Sequence, residues 1–165
     1  MFILISTFLL CSQFLISKAD LEVTLLDSKF EYYDLDYFKD MDSDVSGSDV
    51  FMNGTITNFL PEEAELRLQV IGATMGEYIV PTGIDFLYSL CAGLKEPNIM
   101  TSAINYLEPP LDDCPPKPGS YVADATFDDF STFPENFPPN NYFVNTTVFT
   151  PEKIFLEMHA YVSTR

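Results

Sequence analysis

Two cysteines, Cys91 and Cys114, mark the stretch that most restricts how this chain can fold. It begins LYSLCAGLKEPN at Leu87 and ends DDCPPKPGSY at Tyr121. A helical pattern leads into the first cysteine, and a proline-locked corner followed by a strand pattern leads out of the second. A bond between the two would staple helix to strand. In the chain-entropy model, closing a loop of this length contributes roughly 3 to 3.5 kcal/mol, a large share of a small domain's stability.

Whether such a bond forms depends on the compartment. Met1 to Ile16 is almost wholly apolar, and Ser17-Lys18-Ala19 places small residues at the two positions a signal peptidase reads. No basic residue lies near Met1, a departure from the usual pattern. As a membrane anchor the run is too short and lacks a flanking charge cluster. Residues 1–19 are therefore expected to be a signal peptide cleaved after Ala19, and residues 20–165 a single secreted, extracellular domain. Cleavage removes Cys11 and leaves an even pair in an oxidising compartment, where a disulfide outweighs a catalytic or metal-binding use. It also removes Lys18 and no acid, so the net charge of −17 becomes one unit more negative. So acidic a surface excludes nucleic acid and anionic membranes as electrostatic partners. Fifteen Phe and nine Tyr, with no Trp, predict an aromatic core.

Leu21 to Tyr33 carries strand-type residues with polar ones interleaved. Asp34 to Asp49 is rich in Asp, Ser and Gly and reads as an exposed loop. Within it, Asp40-Met41-Asp42-Ser43-Asp44 mimics the start of a calcium loop. Val45 stands where the glycine is required and Phe51 where the closing Glu belongs, so a solvated acidic loop is preferred. Val50 to Leu60 resumes strand character, with Asn53-Gly54 placed to form a hairpin turn. Asn53 also opens a glycosylation acceptor, as does Asn145, and both are predicted to be exposed. Leu66 to Val70 alternates strictly, with Leu66, Leu68 and Val70 inward. Gly72 and Gly76 are expected to end that strand, and Glu77 to Val80 to pair back.

The spacing of Thr82-Gly83-Ile84-Asp85 suggests a helix start, and Ile84, Leu87, Tyr88, Cys91 and Leu94 share one helical face. Most of the 12 prolines follow, which disfavours further long helices. Ser120–Phe127, Tyr142–Phe149 and Ile154–Val162 read as strands, with Ile154, Leu156, Met158, Ala160 and Val162 inward and His159 outward. About seven strands and one short helix predict a mainly-β protein, an antiparallel sandwich or cup of immunoglobulin-like type.

Catalytic patterns are nearly absent. One outward histidine, no serine motif, no phosphate loop and no zinc spacing argue for a non-enzyme with no cofactor and no metal. Paired carboxylates of a glycosidase are not formally removed by so acidic a sequence, but a small domain with no pocket signature disfavours them. Phe127, Phe130, Phe133 and Phe137 lie three or four apart among acids and prolines. A covering loop that fills the core's open edge and an apolar rim at the mouth of a ligand cavity fit this pattern equally.

The run Leu87-x-x-Leu90-Cys91-x-x-Leu94, then Cys114-Pro115-x-Lys117-x-Gly119-x-Tyr121, then Phe133-Pro134-x-x-x-Pro138 and a closing pair of strands resembles the chemosensory protein B group. That group of small secreted insect proteins is related to the ganglioside-activator and lipid-recognition proteins. The resemblance covers most of the chain from about Leu66 onward, and the Cys-Pro-x-Lys-x-Gly-x-Tyr corner is its most specific part. It implies an apolar cavity between two sheets, a lipid-like ligand, and a role in pheromone or taste detection, with a membrane receptor or channel as a partner. It also implies the Cys91–Cys114 disulfide. The sequence departs from the lipid-recognition relatives in carrying one cysteine pair where they usually have two or more.

The expectation is a secreted carrier of a small hydrophobic ligand, a neutral lipid or hydrocarbon. Leu68, Val70, Leu87, Phe130, Phe133, Leu156 and Met158 are its candidate cavity residues. The alternative is a secreted protein-binding module, a co-receptor or inhibitor, with a filled core. A cavity between the sheets separates the two.

Overall fold

The architecture, a computed structural model, describes residues 22–95, 104–126 and 137–165. The signal segment, Phe127, Phe130 and Phe133 lie outside the described residues. Alternating apolar and polar residues run through eight strands: β1 Val23–Tyr33, β2 Phe38–Ser46, β3 Asp49–Ile56, β4 Glu65–Thr74, β5 Glu77–Ser89, β6 Gly119–Thr126, β7 Asn140–Thr150 and β8 Lys153–Thr164. They form two antiparallel sheets, one of five strands in the order β1-β8-β7-β4-β5 and one of three in the order β2-β3-β6. The mainly-β sandwich expected from the sequence is the fold observed. A single helical turn, α1 Leu90–Gly93, follows β5.

The inner face of the large sheet is set by register. Phe30, Met158, Thr146 and Leu68 stand side by side across four strands, and the next row is Ser28, Ala160, Val144 and Val70. The two sheets meet along β1 and β2, where the Ser43 hydroxyl donates to the Ser28 carbonyl at 2.8 Å. On the opposite side they are bridged by a strap, residues 104–118. It is tied to α1 by the Cys91–Cys114 disulfide and to the edge of β6 by paired backbone hydrogen bonds between Glu108 and Val122, 2.7 and 2.9 Å.

Four local expectations are corrected. The helix from Ile84 to Leu94 is instead the end of β5 followed by α1. Pairing with β4 outweighs the helical spacing: Asp85 faces outward and binds Arg67 through two hydrogen bonds of 2.8 and 2.7 Å, and Gln69 at 3.0 Å. Only after Ser89, whose hydroxyl caps the Ala92 N–H, does the chain turn helical. The acidic loop contains β2, an edge strand whose Asp42 and Asp44 face water while Met41, Ser43 and Val45 turn towards the core. Charges on an exposed edge discourage pairing with another chain. Asn53-Gly54 is not a turn but the middle of β3, paired on both sides, and Asn53 is half-buried rather than exposed. Gly72 does not end β4. The turn comes at Met75-Gly76, where both φ angles are positive, 50° and 85°, as a two-residue hairpin needs.

Where β1 leaves the large sheet, the Asp34 carboxylate binds Lys153 at the start of β8 and accepts the Asp36 N–H at 2.9 Å. The Lys153 ammonium lies 5.0 Å from the Tyr37 ring and 5.5 Å from the Phe155 ring. Its hydrogen bond holds the Asp34 carboxyl below the usual carboxylate range. A carboxylate so depressed stabilises the fold above its unfolded pKa of about 4, and that contribution is lost as pH falls through the folded value. Asp34→Asn is therefore expected to be less stable than the parent near neutrality, with the gap closing in acid. Thermal melts across the acid range check this; a gap independent of pH contradicts it.

Candidate functional site

The core is divided. One buried cluster holds Val23, Leu68, Val70, Phe137, Tyr142, Val144 and Val162. A second holds Phe38, Leu60, Ala64, Leu66, Leu90, Val148 and Phe155, and a third Val50, Met52 and Ala123. All three contribute walls to one cavity between the sheets, of about 230 Å³. Its floor is the large sheet, through Leu66, Leu68, Thr146, Leu156, Met158 and Ala160. Its roof is the small sheet, through Met41, Val50, Met52 and Ile56. The open side is walled by Leu94 beside α1 and by Ile104, Leu107, Leu111 and Pro116 of the strap.

The disulfide thus sets the position of one wall: it joins Cys91 to Cys114 with 5.5 Å between their Cα atoms. Two glycines allow the walls to close. A Cβ at Gly93 would collide with Leu66, and one at Gly54 with the Met41 sulfur, whose side chain lies across β3 in the space a side chain would fill. Beyond the Val70–Val144 row the large sheet carries a polar knot. Both the Tyr142 hydroxyl and the Thr164 hydroxyl donate to the Pro138 carbonyl at 2.7 Å, and the Asn140 amide reaches the Ala73 carbonyl at 2.9 Å. Burial pushes the Tyr142 phenol up, against the opposing effect of Thr164.

No family model and no curated protein matches the sequence. The site is therefore read from its own chemistry.

Among the described residues, every side chain lining the cavity is uncharged. A carboxylate or ammonium taken in alone would lose its hydration with nothing to offset it, a cost of several kcal/mol, so the cavity suits neutral molecules. Apolar cavities of about 150 Å³ stay dry and accept a benzene-sized guest, so this one has room for a guest somewhat larger than benzene. That is smaller than a drug-sized site. Met41, Met52 and Met158 line it, however, and unbranched thioether side chains adapt to what they touch.

Of the cavity residues expected from sequence, Leu68, Leu156 and Met158 lie on the wall. Val70 does not: it is buried one row further along, packed with Phe137, Tyr142 and Val144. Leu87 does not either. As part of β5 rather than a helix it faces outward, 57% exposed. Ile154 is also outward, 44% exposed, because a bulge opposite Val148 and Phe149 shifts the alternation of β8 and turns Phe155 inward, edge-on to Tyr37 at 4.9 Å. Phe130 and Phe133 lie outside the described residues.

His159 sits on the outer face of the large sheet, 3.0 Å from Glu157 and 4.8 Å from the Phe143 ring, away from the cavity. Near it, Tyr78, Phe143 and Tyr161 touch one another with ring centroids 5.5 to 6.0 Å apart. Among the described residues no group of three His, Cys, Asp or Glu side chains is arranged to hold a metal, and no helix is long and apolar enough to cross a membrane.

The roof was the part hidden from sequence reasoning. Met41 was hidden because β2 reads as a loop, and Gly54 because Asn53-Gly54 reads as a turn. The period-two placement of Met41, Ser43 and Val45 between acids was the available signal.

Proposed function

We propose that this protein is a secreted, non-enzymatic carrier of a small neutral apolar molecule, held between its two sheets. The observation that carries this is the uncharged cavity of about 230 Å³ walled by three separate core clusters. Removing apolar ligand surface from water there contributes about 25 cal/mol per Å². Secretion is supported by the apolar leader and by the disulfide, which persists in oxidising compartments. Asn145 too is half-buried rather than exposed, its amide donating to Glu157 at 3.3 Å, but it lies on the outer side of β7 and fits a glycan better than Asn53, which lines the cavity. A part in pheromone or taste detection, with a membrane receptor or channel downstream, rests on the sequence resemblance alone, whose most specific part is the cysteine-proline corner.

The aromatic group Tyr78, Phe143 and Tyr161 favours the second reading, a protein-binding module using the outer face of the large sheet. The first experiment is uptake of an uncharged, environment-sensitive fluorescent probe by the protein collected from medium. Saturable binding with micromolar affinity is expected. Folded protein that takes up no probe would overturn the carrier.

A further inference from the structure

We propose that Ser28 is a polar anchor of the cavity, and that the natural occupant carries a neutral hydrogen-bonding oxygen, as an alcohol does, rather than being a pure hydrocarbon. This rests on the carrier reading above. Ser28 is 3% exposed and lines the cavity, and its Oγ is buried without a hydrogen-bond partner. Buried hydroxyls are otherwise nearly always paired. Its surroundings offer no relief. Asp27 and Lys29 on either side in β1 point to solvent, the residue opposite on β8 is Ala160, and the nearby Ser43 hydroxyl is already donated to the Ser28 carbonyl.

A second observation points the same way. Among the described residues, two buried side-chain polar atoms lack partners, Ser28 Oγ and Asn53 Oδ1, and both residues line this one cavity from opposite sheets. Thr146, itself buried, adds a third polar side chain to the wall. An otherwise apolar chamber that leaves hydrogen-bonding capacity unmet on its walls suits a mostly apolar guest with one polar end. Because none of the described side chains lining the cavity is cationic, that end is an uncharged oxygen and not a carboxylate. A hydroxyl meets the need best, since it both donates and accepts.

The test is competition against the fluorescent probe by n-octanol and n-nonane, which have equal numbers of heavy atoms, in the parent and in Ser28→Ala. The parent is expected to prefer octanol over nonane about tenfold more strongly than Ser28→Ala does. Nonane affinity should be unchanged or higher in the variant. Loss of an unpaired hydroxyl should leave the melting temperature no lower; should the alanine variant fail to fold, Ser28→Cys, a poor hydrogen-bonder of similar size, carries the same comparison. An identical octanol-to-nonane ratio in parent and variant overturns the anchor, with a trapped water serving Ser28, and leaves the carrier standing. Binding of neither competitor nor probe by folded protein overturns both.

Discussion

Cys114→Ala is expected to lower stability by about 2 to 5 kcal/mol and to weaken probe uptake along with it. The disulfide ties the strap to α1, while the Glu108–Val122 bridge and the Tyr121 hydroxyl, donating to the Lys117 carbonyl at 2.8 Å, tie it to the edge strand β6. Without the disulfide, Leu107, Leu111 and Pro116 lose their fixed relation to Leu90 and Leu94, and the cavity loses a wall rather than a single contact. Cys91→Ala should have nearly the same effect. The double substitution should be little worse than either alone, because the two residues act through one bond. Urea unfolding under oxidising conditions measures this. A midpoint for Cys114→Ala indistinguishable from the parent's would mean that packing and the hydrogen bonds to β6 hold the strap without the disulfide.

How much of this was legible beforehand depends on the strand. β4 and β7 pair on both sides and have one face in the core, so alternation along β4 is strict and its inward residues can be read directly, as Leu66, Leu68 and Val70 were. β2 and β5 are edges. Half their backbone faces solvent, apolar demands relax, and the composition drifts towards acids in β2 and towards exposed Phe86 and Leu87 in β5. There, local signals mislead: aspartates read as loop, and apolar residues three and four apart read as helix. The slip at Ile154 has another origin. A bulge adds a residue without changing composition, so Phe155 and not Ile154 turns inward, and nothing local announces it. The cavity itself belongs to the distance between sheets, which no periodicity encodes; its cysteine-tethered wall was the part that residue types could point to.

Ala160→Phe is expected to fill the cavity, raising stability while abolishing uptake. Ala160 stands on β8 between Ser28 and Val144 and lines the chamber. A phenyl ring placed there takes up much of the roughly 230 Å³. Cavity-filling substitutions commonly add about 0.5 to 2 kcal/mol, which for a domain of this size raises the melting temperature by about 2 to 8 °C. Probe affinity should fall more than tenfold, since guest and ring compete for the same volume. The opposite outcome is equally informative. If the interior closes in solution into a filled core, the added ring has nowhere to go, and overpacking should cost about 1 to 3 kcal/mol. A destabilised Ala160→Phe together with a parent that takes up no probe would sink the carrier. It would make the outward aromatic group of Tyr78, Phe143 and Tyr161 the surface to pursue. A stabilised variant that has lost uptake would tie binding to the chamber between the sheets, because no change on the outer face accompanies the substitution.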